Sequence, residues 1–263
     1  MINVLYGYPL YHWFHTFIGL KSGHQAGKET QEIAKLTGGP NPQLEFLTAE
    51  CQEVFKKYCL SKVFIQGGPI IGAQGAALLP WNKTIYVDIR LCRTDPEAMK
   101  FVAKHEIAHI KNNDSLLEPL AISIFTCLTV RVIAKLPVRS WMALSLGFTA
   151  IFTFHQLVTQ YQEKRADAFA VAHSNLEQLK GAIRLFQASL NANKLLAKNN
   201  RVYSFLIKEN GEFSKWATGF FHLQTPQRIK DLSAIYKTQT GMEYKPAESE
   251  LEKVNKILYS QLS

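Results

Sequence analysis

The chain has 263 residues, of which 47% are hydrophobic and 19% are charged, which is enough for one large domain or one domain with an insertion. Its net charge is +9, but lysine and arginine are spread along the whole chain, which argues against a nucleic-acid-binding tract and leaves an anionic membrane surface as a partner. The four cysteines form no Cys-x-x-Cys pair, so the pattern disfavours a disulfide framework and favours a reducing compartment. No secretory signal is predicted, because no lysine or arginine precedes the first apolar run.

The N-terminal segment, residues 1–42, differs in composition from the rest of the chain. Residues 1–20 are apolar and rich in aromatic side chains, and Pro9 argues against one continuous membrane-spanning helix. This stretch is either an interfacial anchor or a segment folded onto the core. Residues 21–42 are polar and glycine-rich, which predicts a loop.

Helical and extended patterns follow one another after this loop. Apolar residues recur at helical spacing over residues 44–58, and residues 62–65 and 84–89 are typical of strands. The sequence Asp95-Pro96-Glu97 then predicts the start of a helix, with Asp95 as its cap and Pro96 at the first helical position.

Residues 105–109 read His-Glu-x-x-His within this predicted helix. Side chains four residues apart on a helix point the same way, so His105 and His109 can hold one metal ion between them. Glu106 points in a neighbouring direction and is predicted to reach a water molecule on that metal. Neutral imidazoles suit Zn²⁺, and a catalytic site keeps one position open. The alternative is an ordinary helix that carries two histidines by chance.

Two apolar stretches, residues 119–130 and 141–158, predict a helical hairpin over residues 116–160. The second stretch is long enough to cross a bilayer, whereas the first contains Pro119 and ends at Arg131. The hairpin either enters a membrane with basic residues at its tip or is buried within a soluble domain. The near absence of charge favours the membrane.

Catalytic zinc sites have three protein ligands, so a third is expected beyond the two histidines. Glu163 follows the hairpin directly, and the hairpin returns the chain to the side on which it began. Asp167 lies one helical turn further on and is predicted to accept the free N–H of a ligand histidine. The alternative for Glu163 is a solvated glutamate paired with a neighbouring basic residue. The remaining histidines, apart from His222, are predicted not to be ligands: His12, His15, His24, His155 and His173.

These motifs together resemble the M48 family of integral-membrane zinc metallopeptidases, which includes heat-shock and CAAX-processing proteases. The resemblance rests on four features in order: His105–His109, Asn112–Asp114, the apolar hairpin with Glu163-x-x-x-Asp167 after it, and the segment His222–Ile229. It covers about residues 80–235, and it implies that His222 or Arg228 stabilises the transition state.

The resemblance also implies a fold class and a domain boundary. The expected fold is mostly α with a small β-sheet (α+β), a zincin-type, gluzincin-like catalytic core with the hydrophobic hairpin inserted between the metal ligands. The peptidase domain is expected over residues 43–263. The substrate is expected to pair as an extended peptide with an exposed strand edge at 84–89.

The sequence therefore predicts a membrane-associated, zinc-dependent endopeptidase that acts on proteins or peptides. It is expected to bind one Zn²⁺ per chain and membrane lipid, but no nucleic acid. Its catalytic domain is expected on the reducing, cytoplasmic side. Two alternatives stay open: a non-catalytic membrane-bound scaffold with a zinc-stabilised helical core, and a soluble protease without membrane contact.

Overall fold

The structure is a computed structural model that describes residues 2–14, 49, 53, 64–68, 73–77, 83–137, 139–214 and 225–259. Within the strands, only Ile85 has a described side chain. The predicted loop at 21–42 and His222 lie outside the described residues, as do all but two residues of the predicted helix at 44–58.

Helices dominate the described chain. In chain order the elements are a 3₁₀ turn over Ile2–Tyr6, helix α1 over residues 7–14, strands β1 (Phe64–Gly68), β2 (Ala73–Ala77) and β3 (Lys83–Asp88), and helices α2 (Ile89–Thr94), α3 (Pro96–Lys111), α4 (Asp114–Ile133), α5 (Ser140–Ala172), α6 (Leu176–Asn199), α7 (Arg201–Leu206), α8 (Thr225–Thr240) and α9 (Glu248–Tyr259).

The predicted fold class, mostly α with a small β-sheet, is wrong for the part of the chain that the structure describes in full, with backbone and side chains. That part is 84% helical and includes no complete strand. The short strands β1 to β3 are described by their backbone, and Ile85 is the one buried side chain described in them. The described core and the candidate site are therefore built by helices, because helices supply nearly all of their buried side chains.

The predicted strand edge for the substrate is also wrong. Strand β3 pairs in parallel with β1 on one side and antiparallel with β2 on the other, in the order β1-β3-β2. Both sides of the β3 backbone are thus occupied by neighbouring strands, so residues 84–88 present no edge to an extended peptide.

Helix α3 begins where the sequence predicts it. The Asp95 side chain accepts a hydrogen bond from the Ala98 N–H at 3.1 Å, and Pro96 is the first helical residue. Pro96 suits this position because its missing N–H would have no partner within the helix. Eleven of the 16 residues of α3 are buried, including Lys104, His105 and Glu106, so this helix lies inside the helical assembly.

Helices α4 and α5 form the predicted hairpin and pack against each other. The buried side chains between them come from both helices and from Leu5, which is fully buried against Ile122, Val130 and Ile151. The apolar N-terminal segment is therefore folded against the hairpin, which agrees with one of the two alternatives for it.

Both hairpin helices are long and apolar enough to cross a membrane, by length and composition alone. Of their most apolar windows, only 33% of α4 and 22% of α5 are buried. Large apolar side chains consequently face outward along both helices, among them Ile124, Leu128 and Leu146.

Candidate metal centre

The two histidines of the motif face each other one turn apart on α3. The Nε2 atoms of His105 and His109 are 3.0 Å apart. His105 is only 4% exposed, so its imidazole is held inside the protein rather than turning freely in solvent. The helical repeat alone accounts for this geometry, because residues i and i+4 share a face.

Glu163 comes to the same point from α5. Its Oε2 is 3.4 Å from the Nε2 of His105, and its Oε1 is 3.5 Å from the Nε2 of His109. The side chain is 2% exposed. Candidate ligand atoms of all three residues lie within 4.8 Å of one another. The structure therefore brings together the three residues that the sequence predicts as metal ligands.

Two carboxylates orient the imidazole rings from behind. The Nδ1 of His105 is 2.8 Å from the Asp167 Oδ1, and the Nδ1 of His109 is 2.8 Å from the Asp114 Oδ2. A carboxylate only accepts hydrogen bonds, so each Nδ1 carries a proton and donates it. The Nε2 atoms are left to bind a metal ion through their lone pairs.

This donor set fits a divalent metal ion such as zinc. Two Nε2 atoms and a carboxylate surround one point, and each has a lone pair directed at it when the imidazoles are neutral. Their separations of 3.0 to 3.5 Å bracket the edge of a tetrahedron of ligands around zinc, about 3.3 Å for ligand distances near 2.0 to 2.1 Å.

The carboxylates around the two histidines raise the pKa values of both imidazoles in the metal-free site. Burial lowers the pKa of His109, but hydrogen bonds to Asp114 and Glu163 and the charge of Glu106 outweigh burial and raise the pKa to about 10. Burial likewise lowers the pKa of His105, but Glu163 and Asp167 raise it overall. A cation is thus favoured at this point, whether it is a proton or a metal ion.

Glu106 lies next to the centre without belonging to the ligand group. It is 9% exposed, and its charge is among the causes of the raised pKa of His109. Its negative charge therefore acts on the candidate metal centre from the same helix that carries both histidines.

Helix α8 places Arg228 at the site. Its Nε and Nη2 atoms donate to the two oxygens of Asp167 at 2.8 and 2.7 Å, and its Nη1 lies 3.6 Å from the Glu163 Oε2. The guanidinium plane also lies over the Phe186 ring, 4.1 Å from its centre. Arg228 therefore holds the carboxylates of Asp167 and Glu163 in place, and its N–H groups point at these two side chains.

Asp114 is a site residue for which the sequence predicted no role. It accepts from His109 and forms an ion pair with Arg165, which comes from α5. A signal for it existed, since a second ligand histidine needs an orienting partner and Asp114 is the first acidic residue after the motif.

Comparison with known proteins places this arrangement in a family. The model of peptidase family M48 matches residues 78–236, more than half of the chain, and this span contains every predicted site residue. The chain belongs to peptidase family M48. Neither the curated proteins nor the solved structures gave a match.

Membership in M48 makes this chain a metallopeptidase of a family that uses a metal, typically zinc, and its substrates are proteins or peptides. The predicted family is thereby confirmed. The M48 match also runs from before α3 to the last third of α8, so it includes both hairpin helices and the segment that carries Arg228.

Proposed function

We propose that this M48 chain is a membrane-associated, zinc-dependent endopeptidase, with His105, His109 and Glu163 as its metal ligands and Glu106 as its general base. The observation that carries the proposal is the convergence of these three ligand side chains from α3 and α5, each buried or half-buried, with ligand atoms within 4.8 Å of one another. We further propose that residues 43–263 form the peptidase domain.

A zinc ion held by these residues supplies a Lewis acid for the scissile carbonyl and lowers the pKa of a water molecule. The Glu106 carboxylate accepts a proton from the attacking water and afterwards donates it to the nitrogen of the leaving peptide. Because Glu106 is largely buried, its carboxylate is kept close to the metal centre instead of in bulk solvent.

Asp167 and Asp114 are positioning residues in this scheme. Each accepts the Nδ1–H of one ligand histidine and so keeps that Nε2 available for the metal. Arg228 acts through Asp167 and Glu163, which it contacts, so we assign it a positioning role in place of the predicted stabilisation of the transition state. His222 lies outside the described residues, and transition-state stabilisation stays its predicted role.

Membrane association is supported by the exposed apolar surface of the hairpin. A core helix of a soluble protein also passes a test of length and apolar composition, but most of its side chains are buried. The hairpin differs, since only 33% and 22% of its two apolar windows are buried. Exposed apolar surface of this extent marks contact with lipid or with another protein.

The decisive test replaces Glu106 with glutamine and measures zinc content and cleavage of an unfolded protein substrate together. The Glu106→Gln variant is expected to keep its zinc and to cleave about 10² to 10⁴-fold more slowly, because only proton transfer is removed. Glu97→Gln is the matched control: the same substitution in the first turn of the same helix, where Glu97 pairs with Lys100. It is expected to cleave like the parent.

Cleavage by Glu106→Gln at the parental rate would show that the proposed mechanism is wrong. A parent chain that binds zinc but cleaves nothing, with Glu106→Gln causing no change in cells, would instead identify the non-catalytic scaffold.

A further inference from the structure

We propose that the chain has a second site for a divalent transition-metal ion, formed by His12, Glu118 and His155. These side chains come from three separate elements, α1, α4 and α5, and meet where α1 crosses the hairpin. One candidate ligand atom from each lies within 4.8 Å of the others, as at the first centre. The sequence had predicted His12 and His155 as non-ligands.

The distances at this cluster match those between ligands of one metal ion. The Nε2 of His155 is 3.1 Å from the Nε2 of His12 and 2.8 Å from the Glu118 Oε1. The edge of a tetrahedral zinc site is about 3.3 Å, so a modest opening of the cluster accommodates the ion. Two imidazoles and a carboxylate select a transition metal such as zinc over magnesium or calcium, which prefer oxygen ligands only.

Tyr8 supports His155 in the way that Asp167 supports His105. Its hydroxyl oxygen is 2.7 Å from the Nδ1 of His155, so it can accept the Nδ1–H when Nε2 binds a metal. The cluster therefore has three ligands and a partner that orients the most buried of them.

This site is separate from the first centre. His155 precedes Glu163 by eight residues on α5, which places it about 12 Å away along the helix axis. Two metal ions that share one reaction lie about 3.5 to 4 Å apart, so the second ion takes no part in the chemistry at His105 and His109. Its position indicates a clasp that fastens the N-terminal segment to the hairpin.

The burial of His155 favours a bound metal ion at this cluster. His155 is 4% exposed and lies on a helix with a long apolar window, of which 22% is buried. Ionisable groups among apolar helices are costly unless other polar groups or a metal ion compensate them. A metal ion bound here would satisfy both imidazoles and the carboxylate at once.

The test counts metal ions on the full-length protein in detergent. The protein is stripped with a chelator and dialysed against Co²⁺, and bound cobalt is measured by mass spectrometry and visible absorption. We expect two ions in the parent, one in His12→Ala, one in Glu118→Gln and one in Glu163→Ala. Combining His12→Ala with Glu163→Ala is expected to abolish binding.

Matched variants separate a metal site from a hydrogen-bonded contact. His173→Ala removes a histidine outside both clusters, which contacts the Phe169 carbonyl, and is expected to keep two ions. Tyr8→Phe is expected to keep two ions, with the second bound about 10-fold more weakly. Since His12 is half-buried on the short helix α1, its removal is expected to leave the helical content unchanged by circular dichroism.

Equal cobalt binding by the parent and by folded His12→Ala and Glu118→Gln would overturn the proposal and leave a hydrogen-bonded clasp. This comparison does not depend on the first centre. A loss of one ion from these two variants supports the second site even if Glu163→Ala changes nothing.

Discussion

His105 and His109 present the same ring atom, Nε2, to the candidate metal centre, but different parts of the chain orient their rings. Asp167 comes from α5 and is itself held by two hydrogen bonds from Arg228. Asp114 is the first residue of α4 and is held by Arg165. Each ligand histidine is thus the inner member of a chain of three charged or polar groups, which restricts both ring orientation and tautomer.

Removing the charge of either outer carboxylate is expected to weaken metal binding while the fold is kept. We expect Asp114→Asn and Asp167→Asn each to lower zinc affinity about 10 to 100-fold. The measurement is the free zinc concentration, set by a chelator buffer, at which peptidase activity is half-maximal. Asn112→Ala, in the turn next to Asp114, serves as control and is expected to match the parent. An unchanged zinc dependence in both carboxylate variants would contradict the orienting role.

Zinc binding at the first centre is expected to release protons at pH 8. The raised pKa of His109, about 10, means that the metal-free chain holds a proton there at pH 8, and the metal must displace it. Calorimetry in two buffers of different ionisation enthalpy measures the number released. We expect at least about one proton to be released per zinc ion bound. The His12→Ala variant is used because it is expected to lack the second metal site, so that only this centre is measured. Release of none would show that His109 is already neutral.

The sign of the accompanying stability change follows from the same shift. A histidine whose pKa rises on folding stabilises the metal-free chain fully below its unfolded value of about 6.5. That contribution is lost as the pH rises toward 10, the pKa of folded His109. The metal-free protein therefore loses stability over the pH range in which its affinity for zinc increases.

At the scale of elements, the position of α3 depends on α6. Arg184 on α6 donates to both oxygens of Asp95 at 2.8 and 2.9 Å, so the residue that caps α3 is held by a second helix. Close approach reinforces this contact: a Cβ on Gly181 would lie 2.4 Å from the backbone nitrogen of Ala98. Only glycine allows the two backbones to meet so closely at the start of the metal-binding helix.

Replacing Asp95 with alanine is expected to destabilise the chain by about 3 kcal/mol. About 1 kcal/mol comes from the lost helix cap, and the rest from removing the carboxylate to which the half-buried Arg184 donates two hydrogen bonds. Thermal or urea unfolding followed by circular dichroism measures the change at equal zinc load. Glu177→Ala breaks an exposed pair with Lys180 on α6 and is expected to cost less than about 1 kcal/mol. Equal stability of the two variants would contradict this account of α3.

The described helices fall into two parts that differ in how much apolar surface they expose. The helices around the metal centre bury α3 on several sides, whereas the hairpin exposes large apolar side chains along α4 and α5. The candidate metal ligand Glu163 lies on α5 beyond its most apolar part, so the candidate centre lies next to this apolar surface. A protein substrate would therefore be cleaved close to the surface that the hairpin contacts.

The chain is expected to remain with membranes after washing with high salt or alkaline carbonate and to be released by detergent. Leu128→Arg puts a charge on the exposed face of α4 and is expected to lower membrane retention, because a central charge opposes insertion by about 2.5 to 3.5 kcal/mol. Leu195→Arg, at a comparably exposed position on α6, is the control and should behave like the parent. A parent protein that is extracted without detergent would contradict the membrane assignment.

Local patterns account for the predictions that agree with the structure. The start of α3 follows from Asp95 and Pro96, and the pairing of His105 with His109 follows from the helical repeat. Glu163 was predicted from the return of the chain through the hairpin, and the structure places it at both histidines. The fold class was predicted wrongly. Short extended patterns indicate strands, but they do not show that helices supply nearly all of the buried side chains in the described core.

The sequence by itself therefore determined the helix that carries both candidate histidines, the hairpin and the three ligand candidates, since helical periodicity and chain return are properties of neighbouring residues. Only the tertiary structure decided that Arg228 holds Asp167 and that His12, Glu118 and His155 meet. Those contacts join residues separated by 61, 143 and 37 positions. Proximity over such separations depends on how whole helices pack against one another, and no local pattern carries that information.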